Sequence, residues 1–226
     1  LNSLGFNNIK RIYPGIDIQL YSPASKSLSL LIKLGLDEKD FVITFPGEFT
    51  RLGAIDDIIN MTLQYSRILK EKKIKIILAC RVKNERDLKK KEGIKKILKK
   101  NNLSSEVILP DVFKSMEEMF NASDIVIFPV REMQGKFDIP LAVIEAMACG
   151  KPVIISNIPI LQEFAKNDNS IIIEKGKPEI LWEKILDLYD KTEKRNQIGY
   201  TARKFAEDNF DIKKIAEIYK KIYEVL

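Results

Sequence analysis

The feature that most constrains this chain is a series of short apolar runs rich in Val, Ile and Phe. They are FVITF at 41–45, KIIL at 75–78, EVIL at 106–109, DIVIFP at 124–129, PVIIS at 152–156 and SIIIE at 170–174. Runs this continuous belong to strands covered on both faces, because a half-exposed strand alternates polar with apolar. Between them lie segments of helical periodicity at roughly 54–71, 85–101, 115–121, 139–149 and 159–166. Strand and helix alternating in this way predict βαβ units and a parallel sheet. The expected fold is therefore α/β: a Rossmann-like, doubly wound parallel sheet of about six strands. Helical segments from about residue 178 onwards follow it. In such sheets ligands bind beyond the carboxyl ends of the strands. That directs attention to three loops: PGEFTRLG at 46–53, PDVFKS at 110–115 and PVREMQGKFDIP at 129–140.

At 226 residues with 45% hydrophobic content, the chain suits one globular domain with a short appended segment. The absence of any histidine removes histidine general bases and most catalytic triads. Cys80 and Cys149 fall in different predicted elements without metal-ligand spacing, and read as buried thiols. No metal-ligand cluster is visible, so no metal is expected. No G-x-G-x-x-G follows the first strand, which argues against a dinucleotide cofactor and with it a nucleotide-sugar epimerase. No cofactor is expected. The net charge of +6 comes mostly from lysine, densest in KNERDLKKKEGIKKILKK at 83–100. Leu88, Ile94, Ile97 and Leu98 trace an apolar stripe there, so the lysines read as a wet helix face. Without interleaved aromatic residues the run does not read as a nucleic-acid site. It leaves open a weak peripheral attraction to acidic membrane surfaces. Nothing resembles a signal peptide or a bilayer-spanning run, which makes the cytoplasm the expected compartment. The chain begins at Leu1 in a polar stretch, which suggests a piece of a longer protein.

The segment 139–149 carries a single charged side chain, Glu145. A carboxylate among hydrocarbon needs hydrogen-bond donors. Asp138 reads as the N-cap, Pro140 fits a first helical turn, Gly150 fits the C′ stop and Pro152 prevents continuation. Because this helix follows a strand and a loop, its first amides face the ligand crevice and form an anion site. Glu145 lies about 7.5 Å past Pro140 along the axis, leaning back towards the amino end. A diphosphate on the helix start would place an attached ribose near that carboxylate. A structural Glu145, paired with a lysine or a backbone amide, is the alternative on position alone.

The stretch FDIPLAVIEAMACGKPVIIS, residues 137–156, resembles the nucleotide-sugar-binding motif of the group-1 (family 4) glycosyltransferases, retaining enzymes of the two-Rossmann-domain GT-B fold. That pattern has Glu, then Pro-Phe-Gly-Leu, a second Glu, then Ala-Met-Ala-x-Gly-x-Pro-Val. RIYPGIDIQLYSP at 11–23 resembles the family's interdomain segment, GEFTRLGAIDDII at 47–59 its phosphate-binding loop, and MEEMFNASDIVIFPV at 116–130 the element before the donor loop. The resemblance implies the carboxy-terminal, donor-binding half of a GT-B enzyme. Residues 1–24 would be interdomain-like, 25–208 the donor domain, and 209–226 a helix packing on an amino-terminal acceptor domain. It implies a nucleotide-diphospho-sugar as ligand, with Glu145 on the ribose hydroxyls and the amides of Leu141 and Ala142 on the phosphates. Asp111 and Val112 would lie at the base. The departures matter equally. The first Glu of the motif falls on Phe137, leaving Asp138 to meet the sugar hydroxyls or merely to cap the helix. Pro140 stands at the motif's glycine. Basic residues expected near Glu48 and Gly53 are missing, so Arg51 is the loop's remaining cation for the diphosphate, or else a surface arginine. Gly47 would let the backbone approach the ligand, unless it is an ordinary turn glycine. Arg81, after the second strand, is the weaker cation candidate. A non-catalytic nucleotide-sugar-binding module with the same fold is the competing reading.

Overall fold

The computed structural model describes residues 9–111, 115–133 and 139–224. The chain forms a six-stranded parallel sheet in the order β3-β2-β1-β4-β5-β6. The strands are β1 (Phe41–Phe45), β2 (Ile74–Leu78), β3 (Val107–Ile108), β4 (Ile125–Phe128), β5 (Val153–Ser156) and β6 (Ile171–Ile173). All five pairings are parallel, and β1 lies in register with β2 from Phe41↔Ile74 to Phe45↔Leu78. This is the doubly wound order, and its direction reverses between β1 and β4. Three of the four inner strands, β1, β4 and β5, are buried at every position, which is why their sequences read as continuous rather than alternating.

Ten helices occur among the described residues: α1 (Leu28–Leu34), α2 (Ala54–Gln64), α3 (Ser66–Glu71), α4 (Glu85–Lys100), α5 (Met116–Ala122), α6 (Leu141–Ala148), α7 (Pro159–Gln162), α8 (Pro178–Asp190), α9 (Thr192–Asn209) and α10 (Ile212–Tyr223). The expected helix over 54–71 is broken at Tyr65, whose φ of −107° and ψ of 21° leave the helical basin. The Tyr65 ring stacks on Trp182 of α8, 4.9 Å between centroids and 9° between planes. Tertiary stacking thus outweighs a helical propensity that runs unbroken through the sequence. α1 is unheralded by periodicity; Ser27 caps it, and Gly35 ends it at φ 67°. With α5 it covers Val42 and Ile77 on one face of the sheet.

In α4 the buried stripe is Asp87, Lys91, Ile94 and Leu98, not the apolar set expected. Leu88 and Ile97 point outwards. Two polar residues can hold the inner face because each reaches a partner at the surface: Lys91 pairs with Asp111 at 2.7 Å, and Asp87 with the Thr50 hydroxyl at 2.6 Å. Cys80 and Cys149 are buried free thiols. Burial raises both to about 12, which keeps them protonated at neutral pH. In α10, Ile215 is buried, while Ile212, Tyr219 and Tyr223 face outwards. Among the described residues no helix is long and apolar enough to cross a membrane.

Candidate functional site

At the reversal between β1 and β4 lies a cleft of about 650 Å³. One wall is the loop after β1, with Pro46, Gly47 and Glu48. The second is the loop after β2, with Ala79, Arg81 and Lys83. The third is the start of α6, with Leu141, Ala142 and Glu145. Phe128 and Leu52 form part of its apolar lining. Gly47 owes its place to packing: a Cβ there would overlap the fully buried Phe45 ring. Leu52 and Gly53 both take left-handed backbone, at φ 73° and 70°. Leu52 accepts that strain, of order 1 kcal/mol for a non-glycine residue, while its buried side chain helps line the cleft.

α6 begins later than expected. Pro140 is extended at φ −71° and ψ 115° and occupies the N-cap itself, so neither Ile139 nor Pro140 lies within the helix and the cap position does not fall on Asp138. A proline restrains the residue before it to extended conformations, which resists an earlier start. Asp138 and Phe137 lie outside the described residues. The first helical amides are then those of Leu141 and Ala142, which have no acceptor inside the helix. Both residues line the cleft. The other end closes as a Schellman motif: Gly150 N–H donates to Met147 at 2.9 Å and Lys151 N–H to Ala146 at 3.0 Å. Gly150 takes φ 68° there.

Glu145 is half-buried on the cleft wall. Burial raises its pKa above the ordinary 4.5; the Tyr21 hydroxyl, a donor to the carboxylate, opposes the rise, and the Glu117 carboxylate adds to it. Tyr21 is held in place from behind. The Arg203 Nη1 of α9 donates to the carbonyls of Ile18 at 3.0 Å, Tyr21 at 2.7 Å and Ala148 at 2.7 Å. Asn121 accepts from Ala24 N–H and donates to the Ser22 carbonyl, each at 3.0 Å. The segment before α1 is thereby fastened to α5, α6 and α9.

Glu48 is buried at the foot of the cleft, 2.7 Å from Lys83 Nζ and 3.5 Å from Arg51 Nε. Its backbone bridges to that of Arg81. Asp87, also buried, accepts from the Thr50 hydroxyl at 2.6 Å and from Lys83 N–H at 3.0 Å, joining the two loops. Arg51 is not one of the residues lining the cleft, whereas Arg81 and Lys83 are. Arg81 is the weaker cation candidate of the sequence and Lys83 is the one it misses; the rule that directed attention to the loop after β1 applies equally to the loop after β2 that carries both. Arg131 lies over Gly53, and its guanidinium pairs with buried Asp57.

Asp111 lines a different groove, of about 770 Å³, together with Ser29, Lys33 and Glu118. Its hydrogen bond from Lys91 holds its carboxyl below the usual range. Val112 lies outside the described residues. Although larger, this groove sits beside the edge strand β3. The smaller cleft has the switch-point position and the converging polar groups that mark ligand sites in this architecture. Among the described residues no three His, Cys, Asp or Glu side chains cluster as metal ligands.

Together these features define a Rossmann-like α/β domain of the kind found in GT-B glycosyltransferases. Residues 30–205 match the model of the glycosyl transferases group 1 family, and the chain belongs to that family. It is 26% identical over 228 residues to an uncharacterized glycosyltransferase of Methanocaldococcus jannaschii, covering all of this chain and 55% of the relative. It is 25% identical over 173 residues to a D-inositol 3-phosphate glycosyltransferase of Rhodococcus jostii, covering 75% of this chain and 37% of that protein. The chain thus spans about half or less of the length of these relatives. Among solved structures, Anabaena HepE in complex with UDP and glucose superposes with a TM-score of 0.80 at 20% identity, over 96% of this chain and 57% of that one. The C-terminal domain of a group 1 glycosyl transferase from Francisella tularensis superposes at 0.74 and 18% identity, over 88% of this chain and 100% of that one.

Proposed function

We propose that this chain is the donor-binding half of a retaining hexosyltransferase that uses a nucleotide-diphospho-sugar. One observation carries the reading: two helix-start amides and a half-buried carboxylate share one cleft wall at the switch point. Leu141 and Glu145 are about 6 Å apart along the axis of α6. That separation suits a diphosphate on the amides of Leu141 and Ala142 and a ribose diol donating to Glu145. A uridine nucleotide is one candidate donor, since the Anabaena neighbour holds UDP.

In the reaction proposed, the bond from the sugar's anomeric carbon to the phosphate oxygen breaks and the diphosphate leaves with the electron pair. The acceptor oxygen attacks the same face, and its proton passes to the departing phosphate oxygen. The work of this half is then to stabilise charge growing on the diphosphate, which preorganised amides and cations do without reorganisation. The acceptor would be held by an amino-terminal domain, with residues 1–24 as the connection and α10 laid against that domain.

Calorimetric titration of the chain with UDP-, GDP- and ADP-sugars tests the reading. Binding of at least one at sub-millimolar concentration is expected, and no binding at millimolar levels would sink it. A non-catalytic module is the second reading, favoured by Pro140, which brings no amide to the phosphate site. Donor binding without transfer by the full-length protein would select it.

A further inference from the structure

We infer that the donor's diphosphate is neutralised from the β2 side of the cleft, by Lys83 and Arg81, and not by cations of the loop after β1. This rests on the reading that the cleft takes a nucleotide-diphospho-sugar. The loop after β1 is poorly equipped for such a ligand. Gly53 brings no side chain to it and is covered by an Arg131 side chain whose guanidinium is committed to Asp57. Glu48 is a buried carboxylate that lines the cleft and by itself repels phosphate.

The loop after β2 reverses that sign. The ammonium of Lys83 sits 2.7 Å from Glu48 Oε1, so a cation stands at the tip of that carboxylate. An ammonium has three donors and Glu48 takes one. Half of the Lys83 side chain stays exposed, which leaves the remaining donors room to face a ligand. Arg81 joins it on the same wall, and its backbone is bridged to that of Glu48. The mounting is firm, because buried Asp87 ties the Lys83 amide to Thr50 on the opposite loop. Arg51 pairs with the same carboxylate from outside the lining, so Glu48 is answered by two cations, and Arg81 adds a further one on the cleft wall.

The experiment compares nucleoside, monophosphate and diphosphate affinities by calorimetry, with whichever of UDP, GDP and ADP binds the wild-type chain. Lys83→Ala is expected to weaken the diphosphate at least tenfold, the monophosphate less, and the nucleoside not at all. Arg81→Ala follows the same order, and Lys83→Arg restores most of the loss. The diphosphate affinity of the wild type should fall more steeply with salt than that of Lys83→Ala. Lys89→Ala, on the wet face of α4, serves as the charge control and stays within twofold. Equal losses for nucleoside and diphosphate would make Lys83 structural and overturn the inference, as would a larger loss from Arg51→Ala than from Lys83→Ala. If none of the three diphosphates binds wild type, the donor reading falls and takes this inference with it. If wild type binds and the variants bind equally well, only the inference falls.

Discussion

Replacing Glu145 with Gln separates a binding carboxylate from a structural one, because the two roles predict opposite changes in stability. Without a bound nucleotide the ionised carboxylate is an expense to the fold. Burial, joined by repulsion from Glu117, outweighs the Tyr21 donor and raises its pKa above 4.5. A carboxyl group whose folded pKa is raised stabilises the fold fully below its unfolded value, and that stability is lost as pH rises through the folded pKa. Well above that range, ionised Glu145 therefore counts against the fold relative to the unfolded chain. Gln, of nearly the same shape and neutral, should leave the melting temperature equal or higher at pH 7, with the gap closing as pH falls to 4.5 and below. Nucleotide binding moves the other way. Hydrogen bonds from two hydroxyls to a charged acceptor are worth about 1.5–3 kcal/mol, so Gln should weaken a nucleoside diphosphate roughly 10- to 100-fold. Wild-type affinity should likewise fall more steeply than that of Glu145→Gln as pH drops through the raised pKa, the protonation of the ligand's own phosphate being common to both. The assays are calorimetry and thermal unfolding across pH 4–7. Lower melting at pH 7 with unchanged nucleotide affinity would refute the reasoning and make Glu145 a structural residue.

Three further outcomes concern the frame of the site. Arg203→Ala removes three carbonyl contacts made by one guanidinium nitrogen, and should cost about 2–4 kcal/mol in urea unfolding while loosening Tyr21 from Glu145. Arg131→Ala leaves buried Asp57 without its main cation. The half-exposed guanidinium and the positive end of α2 limit the loss to about 1–2 kcal/mol, read by the same method. Gly199→Ala should cost about 2–3 kcal/mol and lower the melting temperature, since its Cβ would overlap the Gly150 carbonyl where α9 crosses the end of α6.

The sheet was legible in the sequence because burial on both faces leaves a plain mark: each expected strand run overlaps a strand of the sheet. The strand order follows from rules of handedness and crossover, not from any residue. Helices were less legible where tertiary contacts decide. Tyr65 breaks a continuous pattern to stack on Trp182, and α4 buries a lysine and an aspartate because partners wait for them. At the cleft, Gly47, Leu141, Ala142 and Glu145 come together as the loop rule suggested, and Arg51 and Asp111 do not join them. Lys83 was hidden inside a lysine-rich run whose bulk is a solvated face. Nothing in its neighbours marks it as the one that turns towards Glu48. The start of α6 was misjudged because proline is tolerated both within a first turn and ahead of it.

The central claim is tested most directly by a crystal structure of this chain with a bound nucleoside diphosphate. The account predicts the diphosphate on the amides of Leu141 and Ala142 and the ribose hydroxyls on Glu145. A nucleotide seated instead in the groove between α1 and α5, or one that leaves Glu145 facing only Tyr21, would contradict it.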